Sequence, residues 1–183
     1  VRKRARTRAR EVLARDVEMF AVAGYEGSGR RGELHAGLSG PEPALRLELV
    51  PTGGRVFGGA FALEVSSAEP VLPGTAGLRA KGRGVVRMQG IDFRARRDDP
   101  AGTALAGALS TDASLIRALG AVHFEQIRVE ADGRAVIRHM GGSLVWLLFP
   151  PMTRPIAISD EQVRATADAI RAFAAAGRRS AAG

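Results

Sequence analysis

The dipeptide Asp132-Gly133 lies between two runs rich in Ile and Val, and it constrains this chain more than any other stretch. Such a dipeptide between alternating apolar residues specifies a tight β-hairpin. Two registers compete. A two-residue loop sets Val129 opposite Val136 but mixes charged and apolar side chains on both faces. A three-residue loop, Ala131-Asp132-Gly133 with the glycine left-handed, separates them. It puts His123, Glu125, Ile127, Val129, Ala135, Ile137 and His139 on one face. Phe124, Gln126, Arg128, Glu130, Arg134, Val136, Arg138 and Met140 fall on the other. The three-residue loop is the expected register, because a slip of one residue would turn every side chain to the wrong side.

After Gly141-Gly142 comes the apolar run Ser143 to Phe149, closed by Pro150-Pro151. It falls short of the roughly 20 residues that cross a bilayer. Between glycine and proline stops it reads as a strand buried on both faces or as a short buried helix. It holds the only tryptophan, Trp146, and with Phe149 it is a candidate wall for an apolar ligand pocket.

Around this hairpin the chain alternates helices and antiparallel strands. Leu13, Val17 and Phe20 recur at helical spacing, so residues 1–23 read as a helix whose basic first half frays. Gly27 to Gly32 matches G-x-G-x-x-G, but it follows a helix and precedes Pro41 and Pro43. A dinucleotide fingerprint needs a strand before it and a helix after it, so this stretch reads as a connector. Leu45, Leu47 and Leu49 alternate with charged residues as a half-buried strand, and residues 51–54 read as a turn. A strand starting at Arg55 continues to Val65, with Gly58-Gly59 as a possible bulge. Residues 66–82 read as a long loop, and further strands are expected at 85–88 and 91–95, joined at Gln89-Gly90. Asp99-Pro100 starts a helix carrying Leu105 and Leu109, and Thr111 or Asp112 caps a second with Leu115 and Leu119. Ser159 to Gln162 is a capping box opening a helix with Val163, Ala167, Ile170 and Phe173 on one stripe, stopped by Gly177.

Strands joined by tight turns pair antiparallel, and segregated runs of strands and helices indicate an α+β fold. The expected architecture is an antiparallel β-sheet with an N-terminal helix, one or two short central helices and a long C-terminal helix packed on the sheet. Residues 1–23 are read as a basic arm and 24–183 as one domain; 183 residues bury a sizeable core without staples.

The net charge of +8 is concentrated at one end. Arg2, Lys3, Arg4, Arg6, Arg8, Arg10 and Arg15 face only Glu11 within residues 1–15, a surplus of six that leaves +2 for the rest. Such an arm suits an anionic partner: nucleic acid, an anionic membrane surface or an acidic protein. No aromatic residue is interleaved with its basic residues, so stacking on single-stranded bases gains no support. There is no cysteine, which excludes disulfides, thiolate chemistry and cysteine metal sites and fits a reducing cytoplasm. Neither a signal peptide nor a transmembrane segment is read from the sequence, and a cytoplasmic location is expected.

The sharpest chemical candidate is His123, Glu125 and His139. In the expected register they share a face, with Glu125 opposite His139. Two imidazoles and a carboxylate can hold zinc or iron, or do acid–base work near neutral pH. The same residues equally serve as a cross-strand pair at a sheet end without any chemistry. Ser143 lacks the G-x-S-x-G elbow of a nucleophile. Arg128, Arg134 and Arg138 can form a basic patch on the hairpin's open face, although Glu130 beside them favours ion pairing.

From Asp132-Gly133-Arg134-Ala135-Val136-Ile137-Arg138-His139-Met140-Gly141-Gly142-Ser143 to Phe149-Pro150-Pro151, the chain resembles a family of uncharacterised bacterial proteins, mostly from high-GC genomes, over roughly residues 84–174. The resemblance implies a domain of unknown function and carries no active residues. With no recognised catalytic constellation, the expected function is a non-enzymatic ligand-binding or protein-interaction module, with no cofactor and a homo-oligomer as one possible assembly. A metal-dependent or acid–base hydrolase using His123, Glu125 and His139 is the first alternative, and nucleic-acid binding through the arm the second.

Overall fold

The computed structural model describes residues 2–27, 33–53, 58–83, 90–149 and 151–181. Helix α1 (Arg2–Met19) continues as a short 3-10 turn, Phe20–Ala23. Six strands follow: β1 (Glu26–Gly27), β2 (His35–Ser39), β3 (Leu45–Thr52), β4 (Gly58–Ser67), β5 (Leu78–Arg83) and β6 (Gly90–Ala95). Then come helices α2 (Pro100–Thr111) and α3 (Ala113–Gly120) and strands β7 (Phe124–Val129), β8 (Ala135–His139), β9 (Ser143–Leu147) and β10 (Met152–Ile156). Helix α4 (Asp160–Ala181) completes the described chain. The architecture is α+β, with an antiparallel sheet of ten strands among the described residues.

β4 is the axis of that sheet. On one side its residues 60–67 pair with β3, which leads to β2 and β1. Its other side is shared. Residues 58–61 pair with β9, which pairs with β10. Residues 64–66 pair with β8, which leads through β7 and β5 to β6. The sheet thus divides into two branches at the middle of one strand.

Period-two alternation sends Leu45, Leu47, Leu49, Leu63, Val65, Ile127, Val129 and Ile137 to one face, where all are buried in a single core. The helices close that core. Val163, Ala167, Ile170 and Phe173 bury the stripe of α4, and Phe173 meets Phe93 of β6 edge to face with centroids 5.8 Å apart. Asp99 caps α2 through Gly102 N–H, and Asp112 caps α3 through the N–H groups of Ser114 and Leu115. Both caps match the sequence reading.

The hairpin adopts the three-residue loop. Val129 pairs with Ala135, Gly133 has φ +90°, and Gly133 N–H donates to the Glu130 carbonyl at 3.0 Å. Several other expectations are corrected. α1 is helical from Arg2, and Ala5 and Ala9 are buried, so the small residues between the arginines give its first half a packed face. Gly58 and Gly59 pair in regular register with Leu147 and Trp146 and mark no bulge. A Cβ on Gly58 would come within 2.5 Å of the Trp146 carbonyl oxygen, so the glycine serves a close approach. β3 runs through Pro51 and Thr52, and the stretch read as a long loop shortens to 68–77 because β4 reaches Ser67 and β5 begins at Leu78. β10 was not foreseen. Gly177 lies inside α4, where a Cβ would sit 1.9 Å from the Val71 carbonyl oxygen; packing against the 68–77 loop, and not helix termination, calls for it. The expected connector at 28–32 and strands at 55–57 and 85–88, with Gln89 and Pro150, lie outside the described residues.

Candidate functional site

The first candidate, His123, Glu125 and His139, is not brought together. A β-bulge at Glu125 shifts the end of β7 by one residue, so His139 pairs with Phe124 and Gln126 with Arg138. Glu125 is left exposed and out of register with His139. No three His, Asp or Glu side chains converge as a metal set among the described residues.

The two histidines do share a cavity of about 280 Å³, together with Met140, Ile156, Ser159 and Gln162. His139 is buried and His123 is exposed. The Thr166 hydroxyl donates to the Gln162 carbonyl at 2.6 Å and lies 2.8 Å from Nε2 of His139. Since its one proton is spent on that carbonyl, Thr166 accepts from His139, which fixes the Nε2–H tautomer. Burial, helped by the charge of His123, pulls the His139 pKa down to about 4. At pH 7 the imidazole is therefore neutral, a donor through Nε2–H with only Nδ1 left to accept, and a weak base. The capping box is only half formed. Gln162 N–H donates to Ser159 Oγ, while the Gln162 side chain accepts from His123 N–H and donates to the Ala121 carbonyl. It staples α4 to the start of β7. The Ser143 hydroxyl donates to the Met140 carbonyl and closes the β8–β9 turn.

The apolar pair also separates. Trp146 is buried with its ring over Gly59, whereas Phe149 is 89% exposed in the turn after β9, so the two do not wall one pocket. Lys3, Arg4, Arg6, Arg8 and Arg10 point to solvent on α1; Arg8 pairs with Glu11 at 3.0 Å.

The strongest constellation lies on the sheet face away from the helices. Glu64 of β4 is buried there and clamped by two guanidiniums. Arg128 reaches both carboxylate oxygens at 2.8 Å, and Arg138 reaches one at 2.7 Å. Burial pushes the Glu64 pKa up, but the hydrogen bonds and charges of Arg128 and Arg138 outweigh it and hold the group below its usual range. Arg128 also meets Glu130 at 2.7 Å, and Arg134 meets Asp132 at 2.6 Å. The patch expected from Arg128, Arg134 and Arg138 is therefore internally neutralised.

Beyond it the same face changes character. Arg94 of β6 pairs with Arg79 of β5, and Arg79 pairs with Arg128 of β7. Three guanidinium side chains thus stand in one row across three adjacent strands. They line a concavity of about 740 Å³ with Arg96 and Glu130. Glu130 and Glu64 are committed to Arg128; Arg79, Arg94 and Arg96 are exposed and have no ion pair among the described residues. Like charges directly opposite on neighbouring strands destabilise a sheet, so this row is an unbalanced local field. The row is not legible in the sequence, because residues 78–83 lack the apolar alternation of a strand and the register that aligns residues 79, 94 and 128 is not written in any one segment.

Comparison with known proteins adds a family and no function. The family model described as "Protein of unknown function (DUF3156)" matches residues 38–176, reaching well to the N-terminal side of the stretch that carried the resemblance. No curated protein and no solved structure matches the chain.

Proposed function

The chain belongs to the DUF3156 family, and we propose that it is a non-enzymatic binding module for an anionic ligand, held in the concavity of β5, β6 and β7. One observation carries this reading: the Arg94–Arg79–Arg128 row, with Arg96 beside it and too few carboxylates to neutralise it. Guanidinium groups bind phosphate and carboxylate oxygens through paired N–H donors, and each charge-assisted hydrogen bond is worth about 1.5–3 kcal/mol. The strands set the spacing of the row before a ligand arrives, so little ordering is left to do on binding. The lining carries no aromatic side chain, which favours phosphoryl or carboxylate groups over stacked bases. The absence of cysteine supports a cytoplasmic setting for the module.

The test is calorimetric titration with inorganic tripolyphosphate at low ionic strength. The intact chain should bind, with affinity falling as salt rises. Replacing Arg79 and Arg94 together by Gln should weaken binding by more than about tenfold, the equivalent of losing a single 1.4 kcal/mol contact. Replacing Arg4, Arg6 and Arg10 by Gln should leave it unchanged. The opposite pattern, binding lost with the α1 arginines and kept without Arg79 and Arg94, would move the anion site to α1 and overturn the reading.

A further inference from the structure

Helix α1 carries its charge in two rows. Its 18 residues turn by about 100° each and span about 27 Å. Ala5, Ala9, Val12, Leu13 and Asp16 form its buried face, and the helix packs on β1, β2, β3 and β9. The exposed face divides along its length. Lys3, Arg6 and Arg10, at steps of three and four residues, follow one flank; Arg4, Arg8 and Arg15, at steps of four and seven, follow the other. Between the rows lie Thr7, Glu11, Ala14 and Glu18, all exposed and none of them large and apolar. Lys3, Arg4, Arg6 and Arg10 have no ion pair among the described residues, and Arg8 shares one with Glu11 in which both side chains are more than half exposed.

Each kind of anionic partner makes its own demand on such a face. A bilayer interface needs apolar side chains beside the cations, and the apolar side of α1 is already spent on the sheet. A single strand needs aromatic side chains to stack on, and the exposed face of α1 has none. A duplex needs only cations set along two phosphate backbones. The two rows of α1 stand roughly 150° apart around the helix, so they turn toward opposite walls of a groove. A helix about 10–12 Å across fits the major groove of B-form DNA, about 12 Å wide, whereas the A-form groove of duplex RNA is too deep and narrow to admit it.

We infer that α1 is a docking surface for double-helical DNA, lying in the major groove with Lys3, Arg6 and Arg10 toward one phosphate strand and Arg4, Arg8 and Arg15 toward the other. The binding is largely independent of base sequence. The strip that would meet the base edges carries no Arg, Lys, Asn or Gln to read a purine, and its Glu11 is turned to Arg8. Phosphate contacts therefore supply the affinity. The inference does not rest on the arginine concavity, which other elements form.

The experiment is fluorescence anisotropy of a labelled DNA duplex of about 20 base pairs, titrated with the whole chain at several salt concentrations. The logarithm of the affinity should fall against that of salt with a slope near −5, six contacts at about 0.9 each. Arg4, Arg6 and Arg10 replaced together by Gln should weaken binding by at least about tenfold and make the slope shallower by about three, while the thermal melt stays in place because all three side chains are exposed. A duplex of unrelated sequence should bind as well as the first, and duplex RNA should bind at least about tenfold more weakly. Arg79→Gln with Arg94→Gln should leave affinity and slope unchanged. No duplex binding at low salt, a slope that the α1 variant leaves in place, or equal affinity for duplex RNA would overturn the proposal. So would a preference for phosphatidylglycerol vesicles over the duplex that the same variant abolishes, which would assign α1 to a membrane surface.

Discussion

The two branches that leave β4 are built from the same kind of antiparallel strand, yet they solve opposite problems. The branch through β8, β7, β5 and β6 buries charge. Glu64 sits on the open face and stays ionised because Arg128 and Arg138 surround it. The branch through β9 and β10 exposes apolar groups and covers a buried carboxylate whose one ion-pair contact, with Arg15, is long. Asp16 of α1 is fully buried beside Gly142, just before β9; a Cβ on that glycine would lie 3.2 Å from its Oδ2. Neither oxygen of Asp16 has a hydrogen-bond partner among the described residues, and its contact with Arg15 is 3.7 Å, too long for one. A buried carboxylate with bidentate partners remains a structural anion. A buried carboxylate without them takes up a proton, and burial raises the Asp16 pKa to about 7 against the weaker pull of Arg15.

The largest effect should come from breaking the clamp. Glu64→Ala leaves Arg138 partly buried with no counter-charge and Arg128 with Glu130 alone, and loss of one member of such a network costs about 3–5 kcal/mol. Denaturant titration should find the loss nearer the lower figure, because both arginines keep some contact with water. The same substitution frees the two Nη groups of Arg128, whose Nε stays with Glu130, for the row it shares with Arg79 and Arg94, so tripolyphosphate should bind more tightly to the less stable protein. If stability falls and anion affinity falls with it, Glu64 shapes the concavity instead of competing for its donors.

The branches also differ in how far the sequence discloses them. The β7–β8 hairpin is legible because Asp132-Gly133 fixes the loop and the alternation on either side fixes the faces. α4 is legible from its cap and its stripe, although the cap residue Gln162 turns out to hold the backbone of residues 121 and 123. The bulge at Glu125 is not legible: one extra residue in an exposed strand end leaves no mark on composition, and it alone dismantles the His123, Glu125 and His139 set. β5, Leu78-Arg-Ala-Lys-Gly-Arg, has too little apolar alternation to announce a strand, and with it the arginine row is lost. β10 contains Pro155 and reads as a stop. Asp16 looks like one more surface charge in a charged helix until the sheet is placed over it. The elements that local chemistry determines were readable; the sites, which arise where distant strands meet, were not.

The pH dependence separates the branches again. The folded-state pKa of Asp16, about 7, lies above its ordinary value of 3.8, so folding favours the protonated form. That stabilisation is complete at low pH and is lost as pH rises from about 4 to about 7, a swing on the order of 4 kcal/mol. His139 works in the other sense. Its folded-state value of about 4 lies below the ordinary 6.5, so the folded state resists protonation, and stability is lost as pH falls from about 6.5 to about 4, on the order of 3 kcal/mol. Across that interval the two slopes oppose, and the parent chain should show a nearly flat profile. Asp16→Asn should expose the His139 slope, losing stability on acidification while exceeding the parent above about pH 7. His139→Gln should expose the reverse, with stability rising toward acid. Denaturant midpoints across this range check both, and two variants with the same slope would refute the assignment.

The smallest effect belongs to the hairpin tip. Phe149→Ser removes a side chain that the folded chain leaves 89% exposed, so stability should change by no more than about 0.5 kcal/mol. Leu144→Ala on the same hairpin empties a fully buried site and should cost about 2–5 kcal/mol. The contrast matters more than either value. A chain gains nothing in its own stability by holding a phenyl ring in water, so a near-zero loss is expected at Phe149. A loss above about 1 kcal/mol would instead mean that the ring packs within the folded protein.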